Sequence, residues 1–387
     1  MPDKTLFFTS VIIISISIVT VYSLSAYTVI YFEYNELHFF IRQLIFGSLS
    51  IFIIWAIAQL DPDKALHPLG MSLFLFGLLA MIAMPFLPAS LVSEVGGASR
   101  WIKLFGFSIA PVEFFKVGFV YFLAWSFARK IGKNENTSLK EEILRFIPYA
   151  VMFVVVMFII AVLQKDLGQV VVLGLTMAVL LFFAGSSFRF FMILLLGSFI
   201  AFIFFILTAQ HRIARIMSWW AVAQQNILQF FPESIASKLR IENAEEPYQI
   251  GHSLNAVHNG GLGGAGLGAG TFKLGFLSEV HTDFILAGIA EELGFLGLFG
   301  VTMLFTVILW RIFRIANRAK DGIYFLFSLG IGLLLVFAFM INAYGISGLT
   351  PIKGISVPLL SYGGSAMIAS AIGIGMVLMV SKKVYKE

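Results

Sequence analysis

The chain has 387 residues, 59% of them hydrophobic and only 12% charged, with a mean hydropathy of +0.94 and a formal net charge of +5. Soluble domains are usually under half apolar and about a quarter charged, so this composition excludes a soluble globular protein and predicts a polytopic membrane one. There are no cysteines, which excludes disulfides and thiolate metal sites.

A membrane span needs about 20 mostly apolar residues. Segments of that kind run Leu6 to Thr28, Phe39 to Leu60, Leu66 to Leu87, Phe107 to Phe127, Phe146 to Leu163, Leu167 to Ala184, Phe188 to Thr208, Asp283 to Trp310, Ile323 to Tyr344 and Leu359 to Val380. The first is read as a retained span and not as a cleaved signal. Its apolar run exceeds a normal signal core and no small-x-small cleavage site is evident. A break near Gln164 to Gly168 is required, because one helix across both flanking segments would overrun the bilayer. The expected fold is all-α, with about ten transmembrane helices in one integral-membrane unit over residues 1–387. A large extracytoplasmic loop covers 210–282.

Orientation follows from lysine and arginine, which concentrate in short cytoplasmic connections. Lys4, Lys64, the loop Arg129 to Arg145, Arg189, the loop Arg311 to Lys320 and the tail Lys382, Lys383 and Lys386 share one side. Both termini are therefore expected in the cytoplasm. Arg42, Arg100, Lys103, Lys116, Lys165, Arg212, Arg215, Lys238, Arg240, Lys273 and Lys353 fall outside or in the outer halves of spans, against this bias. Taken singly, such residues are snorkelling side chains or surface pairs. Arg100, Lys116 and Arg212 together point to a bound anion such as a phosphate or pyrophosphate head group.

Gly96-Gly-Ala-Ser-Arg-Trp-Ile102 leads into Pro111-Val-Glu-Phe-Phe-Lys116. Glu113 and Lys116, spaced i, i+3, can pair on one helix face. Within the large loop, His211, Arg212 and Arg215 open a helix followed by Trp219 and Trp220, which favour the membrane interface. Gly260 to Gly270 is dense in glycine. Its backbone N–H groups could cradle phosphate, but the strand, helix and Gly-Lys-Ser/Thr of a P-loop are missing, and a flexible hinge fits equally. Leu349 to Ser365 contains two prolines and a glycine pair, so it breaks the helix where irregular backbone needs protein or a wet cavity around it.

Ser278-Glu-Val-His-Thr-Asp283 runs straight into the apolar segment ending near Trp310. His281 and Asp283 then sit at one membrane face and Glu291 and Glu292 about two turns deeper, where ionisable groups are costly and by default point to function. For Glu291 and Glu292 a structural role, capping neighbouring helices or bonding across the bundle, is the favoured reading. At about 100° per residue, Ala287, Ala290, Gly294 and Gly297 share the face of Asp283. A plain helix cap from Thr282 or Asp283 is the competing reading. No His-Glu-x-x-His, Walker A or Gly-x-Ser-x-Gly is present, and the histidines of the large loop lack ligand spacing. A protein-built metal site is not expected.

With these residues in view, the chain resembles the SEDS family (shape, elongation, division and sporulation) over essentially its whole length. The matching stretches are Phe39-Phe-Ile-Arg-Gln-Leu44, Gly97-Ala-Ser-Arg-Trp-Ile102, Pro111-Val-Glu-Phe-Phe-Lys116, Gln164-Lys-Asp-Leu-Gly168, His281-Thr-Asp-Phe-Ile285, Glu291-Glu-Leu-Gly294 and Ser361-Tyr-Gly-Gly-Ser365. Glu291 to Gly294 and Leu349 to Gly354 look more like the division branch than the elongation branch. Ser278, Lys165 and Ser99 depart from the family's usual residues.

The resemblance implies a multi-pass peptidoglycan glycosyltransferase of the bacterial inner membrane that polymerises lipid II. It implies a class B penicillin-binding protein as partner, with other divisome membrane proteins and membrane lipid around it and no nucleic acid. Asp283 matches the family's essential aspartate and is expected to be catalytic. Arg100, Trp101, Glu113, Lys116, Lys165, Asp166, Arg212, Lys273, His281, Thr282 and Ser361 are expected to contact substrate. No cofactor is expected beyond a divalent cation (Mg or Mn) carried with the pyrophosphate. A lipid II flippase, an elongation-type polymerase and a non-catalytic scaffold share many of these features. Against a carrier, the charges gather near one face, whereas transport needs a midplane site.

Overall fold

The computed structural model describes residues 2–88, 90–95, 98–104, 107–131, 138–208, 210–241, 248–351 and 354–385. Gly96, Gly97, Lys353 and Lys386, the middle of the Arg129 to Arg145 loop and part of the 210–282 loop lie outside the described residues, as do the side chains of Ser99 and His211.

The chain begins with helix α1 (Lys4–Leu24), a short α2 (Ala26–Tyr31), α3 (His38–Gln59) and α4 (Pro62–Ala83). Strands β1 (Val92–Val95), β2 (Ala98–Leu104) and β3 (Phe107–Ile109) follow. Next come α5 (Pro111–Lys130), α6 (Leu139–Phe158), α7 (Leu167–Phe183) and α8 (Phe188–Leu207). The long connection carries α9 (Gln210–Ile227), α10 (Glu233–Leu239) and α11 (Tyr248–Gly260). The chain closes with α12 (Ile285–Arg318), α13 (Gly322–Ile346) and α14 (Gly364–Val384). Among the described residues, nine helices are long and apolar enough to cross a membrane, and Leu167–Phe183 is a shorter apolar helix.

Burial separates core from periphery. In α5, α13 and α14 about two thirds or more of the apolar window is buried (67%, 67% and 72%), against 11% in α8. The core helices hold the site, and α8 turns most of its apolar side chains outward, Phe190 and Ile206 excepted. Helix ends follow local chemistry. Pro111 opens α5 with Glu113 in its first turn and Arg129 and Lys130 in its last, each matched to the helix dipole. The Asp166 carboxylate caps α7 by accepting the Gln169 N–H.

Several expected boundaries are corrected. The span expected from Phe107 starts at Pro111, because 107–109 pairs as an antiparallel strand with 102–104. That three-stranded sheet was not expected at all. Leu359 has φ 62°, so the last span starts at Gly364 instead. Helix α12 starts at Ile285 and is broken at Gly294 (φ 68°, ψ −170°), so the single face shared by Asp283, Ala287, Ala290, Gly294 and Gly297 does not exist.

The glycine stretch explains that break. Ala265 and Gly266 N–H donate to the carbonyls of Glu291 and Glu292 at 2.9 Å. Phe295 and Leu296 N–H donate to Gly261 and Leu262 carbonyls at 2.9 and 3.2 Å. The loop thus satisfies backbone groups that the interrupted helix leaves open. It is pinned to α12 by these four bonds and so is not a free hinge.

Candidate functional site

Four segments meet at one end of the bundle: the N-terminal part of α3, strand β2 with the start of α5, the 164–169 turn into α7, and the 279–283 turn against the 354–366 connection. They enclose a cavity of about 550 Å³, within the range of small-molecule sites. Arg42, Arg100, Trp101, Glu113, Asp166, Gln169, Glu279, Thr282, Asp283, Gly354, Tyr362 and Ser365 are in its lining.

Asp283 is half-buried in a tight turn in which the Glu279 carbonyl (φ 58° at Glu279) accepts the N–H groups of Thr282 and Asp283 at 3.0 and 3.1 Å. The turn is fastened to the broken segment before α14. Asn342 Nδ2 donates to the carbonyls of Asp283 and Ile355, both at 2.7 Å. Ser361 Oγ donates to the Thr282 carbonyl at 2.7 Å, and Tyr362 N–H to the His281 carbonyl at 2.9 Å. The N-cap of α12 is Phe284 and no side chain caps it, so neither Thr282 nor Asp283 serves as a cap. Burial, then the nearby carboxylates of Glu279 and Asp166, push the Asp283 carboxyl up from 3.8 to about 6, against the pull of Arg100.

Across the cavity, Arg100 Nε and Nη2 donate to the carbonyls of Gln164 and Lys165 at 2.9 and 2.8 Å, and Nη1 lies 3.7 Å from Asp166 Oδ2. Burial raises the Asp166 carboxyl and Arg100 opposes that rise. Below, Glu113, Lys116 and Gln169 close a ring. Lys116 Nζ is 2.8 Å from both Glu113 Oε2 and Gln169 Oε1, and Gln169 Nε2 donates to Glu113 Oε1 at 2.9 Å.

The structure therefore brings Asp283, Thr282, Arg100, Trp101, Glu113 and Asp166 to one cavity, with Lys116 in the ring beneath and Ser361 holding the Thr282 carbonyl. Four expected contacts lie elsewhere. Arg212 donates to the Phe205 carbonyl at 2.8 Å and stacks over the Phe205 ring at 3.7 Å. Lys273 is buried against Glu292 at 2.6 Å. Lys165 is exposed, contributing its carbonyl to Arg100. His281 is 3% exposed between the rings of Phe39 and Tyr362, where burial lowers its pKa to about 4.

Arg42, Gln169, Glu279, Gly354, Tyr362 and Ser365 line the cavity without having been expected to contact substrate, and two of them, Arg42 and Gln169, carry side-chain hydrogen bonds within it. Arg42 of α3 hydrogen-bonds the Tyr362 side chain, and Gln169 completes the ring. Arg42 had a signal, as a cation set against the charge bias of the spans, whereas the neutral Gln169 had none. Among the described residues, no group of three or more His, Asp or Glu side chains could hold a metal ion.

Comparison with known proteins places this architecture. The family model described as "Cell cycle protein", spanning FtsW, RodA and SpoVE, matches residues 3–386. A probable peptidoglycan glycosyltransferase FtsW of Helicobacter pylori is 48% identical over 381 residues, covering 98% of each chain. Stage V sporulation protein E of Bacillus subtilis is 34% identical over 98% of this chain and 97% of its own. Two solved structures share the fold at 23% identity and cover all of this chain. They are a chain of a peptidoglycan synthase complex (TM-score 0.72, 99% of that chain) and the rod shape determining protein RodA of Thermus thermophilus (TM-score 0.66, 98% of that chain). This chain is a multi-pass membrane member of the FtsW/RodA/SpoVE family of cell cycle proteins.

Proposed function

We propose that this protein is a peptidoglycan glycosyltransferase that polymerises lipid II into glycan strands during septal wall synthesis and releases undecaprenyl pyrophosphate. The FtsW relative's name supports the activity. The observation that carries the mechanism is the Asp283 carboxylate opening into a cavity that also presents two guanidinium groups, Arg42 and Arg100.

Asp283 is the general base. With its pKa raised to about 6, it is ionised at neutral pH and still basic enough to accept a proton in the transition state. It takes the proton of the GlcNAc 4-hydroxyl. That oxygen forms a bond to the anomeric carbon of the second lipid's MurNAc, and the bond from that carbon to the diphosphate oxygen breaks with inversion. The diphosphate leaves with the bonding pair. Arg42 and Arg100 stabilise the charge that develops on it, which asks for preorganised cations and not for a strong acid. Lys116 supports them from the ring below.

The Asp283 end of the bundle faces the extracytoplasmic side, where the second sugar-bearing lipid is available, and both termini face the cytoplasm. A class B penicillin-binding protein crosslinks the product. The peptidoglycan synthase complex that shares this fold, concerned with the coordination of polymerization and crosslinking, supports that pairing. The test is polymerisation of purified lipid II in detergent, where transport across a sealed bilayer cannot operate. Wild type makes glycan and Asp283→Asn makes none; a wild-type protein that makes none sinks the reading.

A further inference from the structure

Glu291 and Glu292 are 0% and 2% exposed and neither lines the cavity. They lie on the short first stretch of α12, which Gly294 separates from the rest of that helix. Glu292 Oε1 is 2.6 Å from Lys273 Nζ, and the Ser23 hydroxyl of α1 donates to the same carboxylate at 2.6 and 2.8 Å. Lys273 also donates to the carbonyls of Gly268 and Ser23 at 2.8 and 3.1 Å. Glu291 Oε1 accepts the N–H groups of Thr271 and Phe272 at 2.6 and 3.0 Å and Asn259 Nδ2 at 3.1 Å.

These bonds join two strands of chain that flank the site. One is the 271–277 segment entering the Asp283 turn, and the other is the helix leaving it. Lys273 and Glu292 are 19 residues apart in sequence, and Asp283 is near the apex of the loop they close. The ion pair sits about 10 Å down α12 from its first residue, at 1.5 Å per residue. The break at Gly294 means that the rest of α12 cannot fix the register of this first stretch through its own hydrogen-bond ladder. Buried ion pairs add little net stability, but they can select one arrangement over others.

We propose that Lys273 and Glu292, with Glu291 beside them, are positioning residues: a clamp that holds residues 271–293 as one rigid loop and so keeps the Asp283 carboxylate facing the cavity. The proposal rests on the reading of Asp283 as the base, and its test separates the two. Because the native chain has no cysteine, Asp283→Cys carries a single thiol. Its labelling by a water-soluble maleimide in detergent reports the position of residue 283 whatever that residue does in catalysis.

Adding Glu292→Gln to Asp283→Cys raises the labelling rate at least fivefold, because the turn is released. In the otherwise native chain, Glu292→Gln lowers kcat per folded molecule at least tenfold while KM for lipid II stays within twofold. If the labelling rate is unchanged and the folded protein keeps its kcat, the pair is only structural and the proposal is overturned. If Glu292→Gln does not accumulate, the neutral pair Lys273→Met with Glu292→Met is measured against the same two thresholds. An active Asp283→Asn would overturn the base assignment and leave the labelling result standing.

Discussion

A Cβ placed on Gly354 would stand 2.9 Å from Oδ2 of Asp283. Gly354 also has φ +60°, a conformation that costs an L residue about 1–2 kcal/mol. The backbone of the 354–366 connection is thus one wall of the slot in which the carboxylate rests. Gly354→Ala presses on that carboxylate as well as straining the turn. Since misplacement of a catalytic group by about 1 Å can cost about 100-fold, the expected result is a loss of 10- to 100-fold in kcat. A small fall in the thermal midpoint should accompany it. Steady-state polymerisation with a parallel melting curve checks it, and a variant with normal kcat contradicts the packing argument.

The pH dependence follows from the raised carboxyl. A base must be deprotonated to work, so kcat/KM rises with pH through a midpoint near 6 and falls away below it. The Glu279 charge is one cause of that elevation. Glu279→Gln should therefore move the acidic limb to lower pH and raise the relative rate at pH 5. A profile measured from pH 4.5 to 8 decides this, and an unmoved or upward-shifted limb would show that Glu279 does not act on Asp283.

Asn342 is the cross-brace between the two halves of the site, with one amide group serving the carbonyls of Asp283 and Ile355. Asn342→Leu strips both carbonyls of a partner, at roughly 1–3 kcal/mol for each buried group left unsatisfied. The variant should melt earlier and lose activity. Hydrogen exchange of the amides at 355–362 should accelerate, and unchanged protection there would argue against the brace.

The two guanidinium groups should behave differently from the base. Arg42→Gln removes one of the two guanidinium groups of the cavity, so on the proposed mechanism it raises KM for lipid II and lowers kcat, each by about 10-fold, in line with the roughly 1.5–3 kcal/mol of a charged hydrogen bond. Arg212→Gln, on a residue held by Phe205, should leave both constants within about twofold. Equal losses in the two variants would mean that the outer loop closes over the cavity during turnover.

Much of this was legible in the sequence because the bilayer imposes strict rules. Apolar runs of fixed length gave the spans, and ionisable residues inside or beside them marked Asp283, Arg100 and the Glu113–Lys116 pair. Local pattern could not reveal what depends on long-range hydrogen bonds. Gly294 reads as an ordinary small residue in an apolar helix, and only the partner carbonyls and N–H groups of 261–266 show why the helix breaks there. Arg212 and Lys273 were expected near the diphosphate because charge in an outer segment carries no address. The fold sends one to an aromatic ring and the other to a buried carboxylate. Gln169 was overlooked because a neutral amide in an apolar run raises no electrostatic alarm, although here it links both members of the ion pair.

The central claim is that the Asp283 carboxylate removes the proton of the attacking sugar hydroxyl. Asp283→Asn keeps the side chain's shape and removes its basicity, so it isolates that role. Purified in detergent and given lipid II, folded Asp283→Asn should bind the substrate and yield no glycan polymer. Polymer formed by that variant at a rate near wild type would contradict the claim.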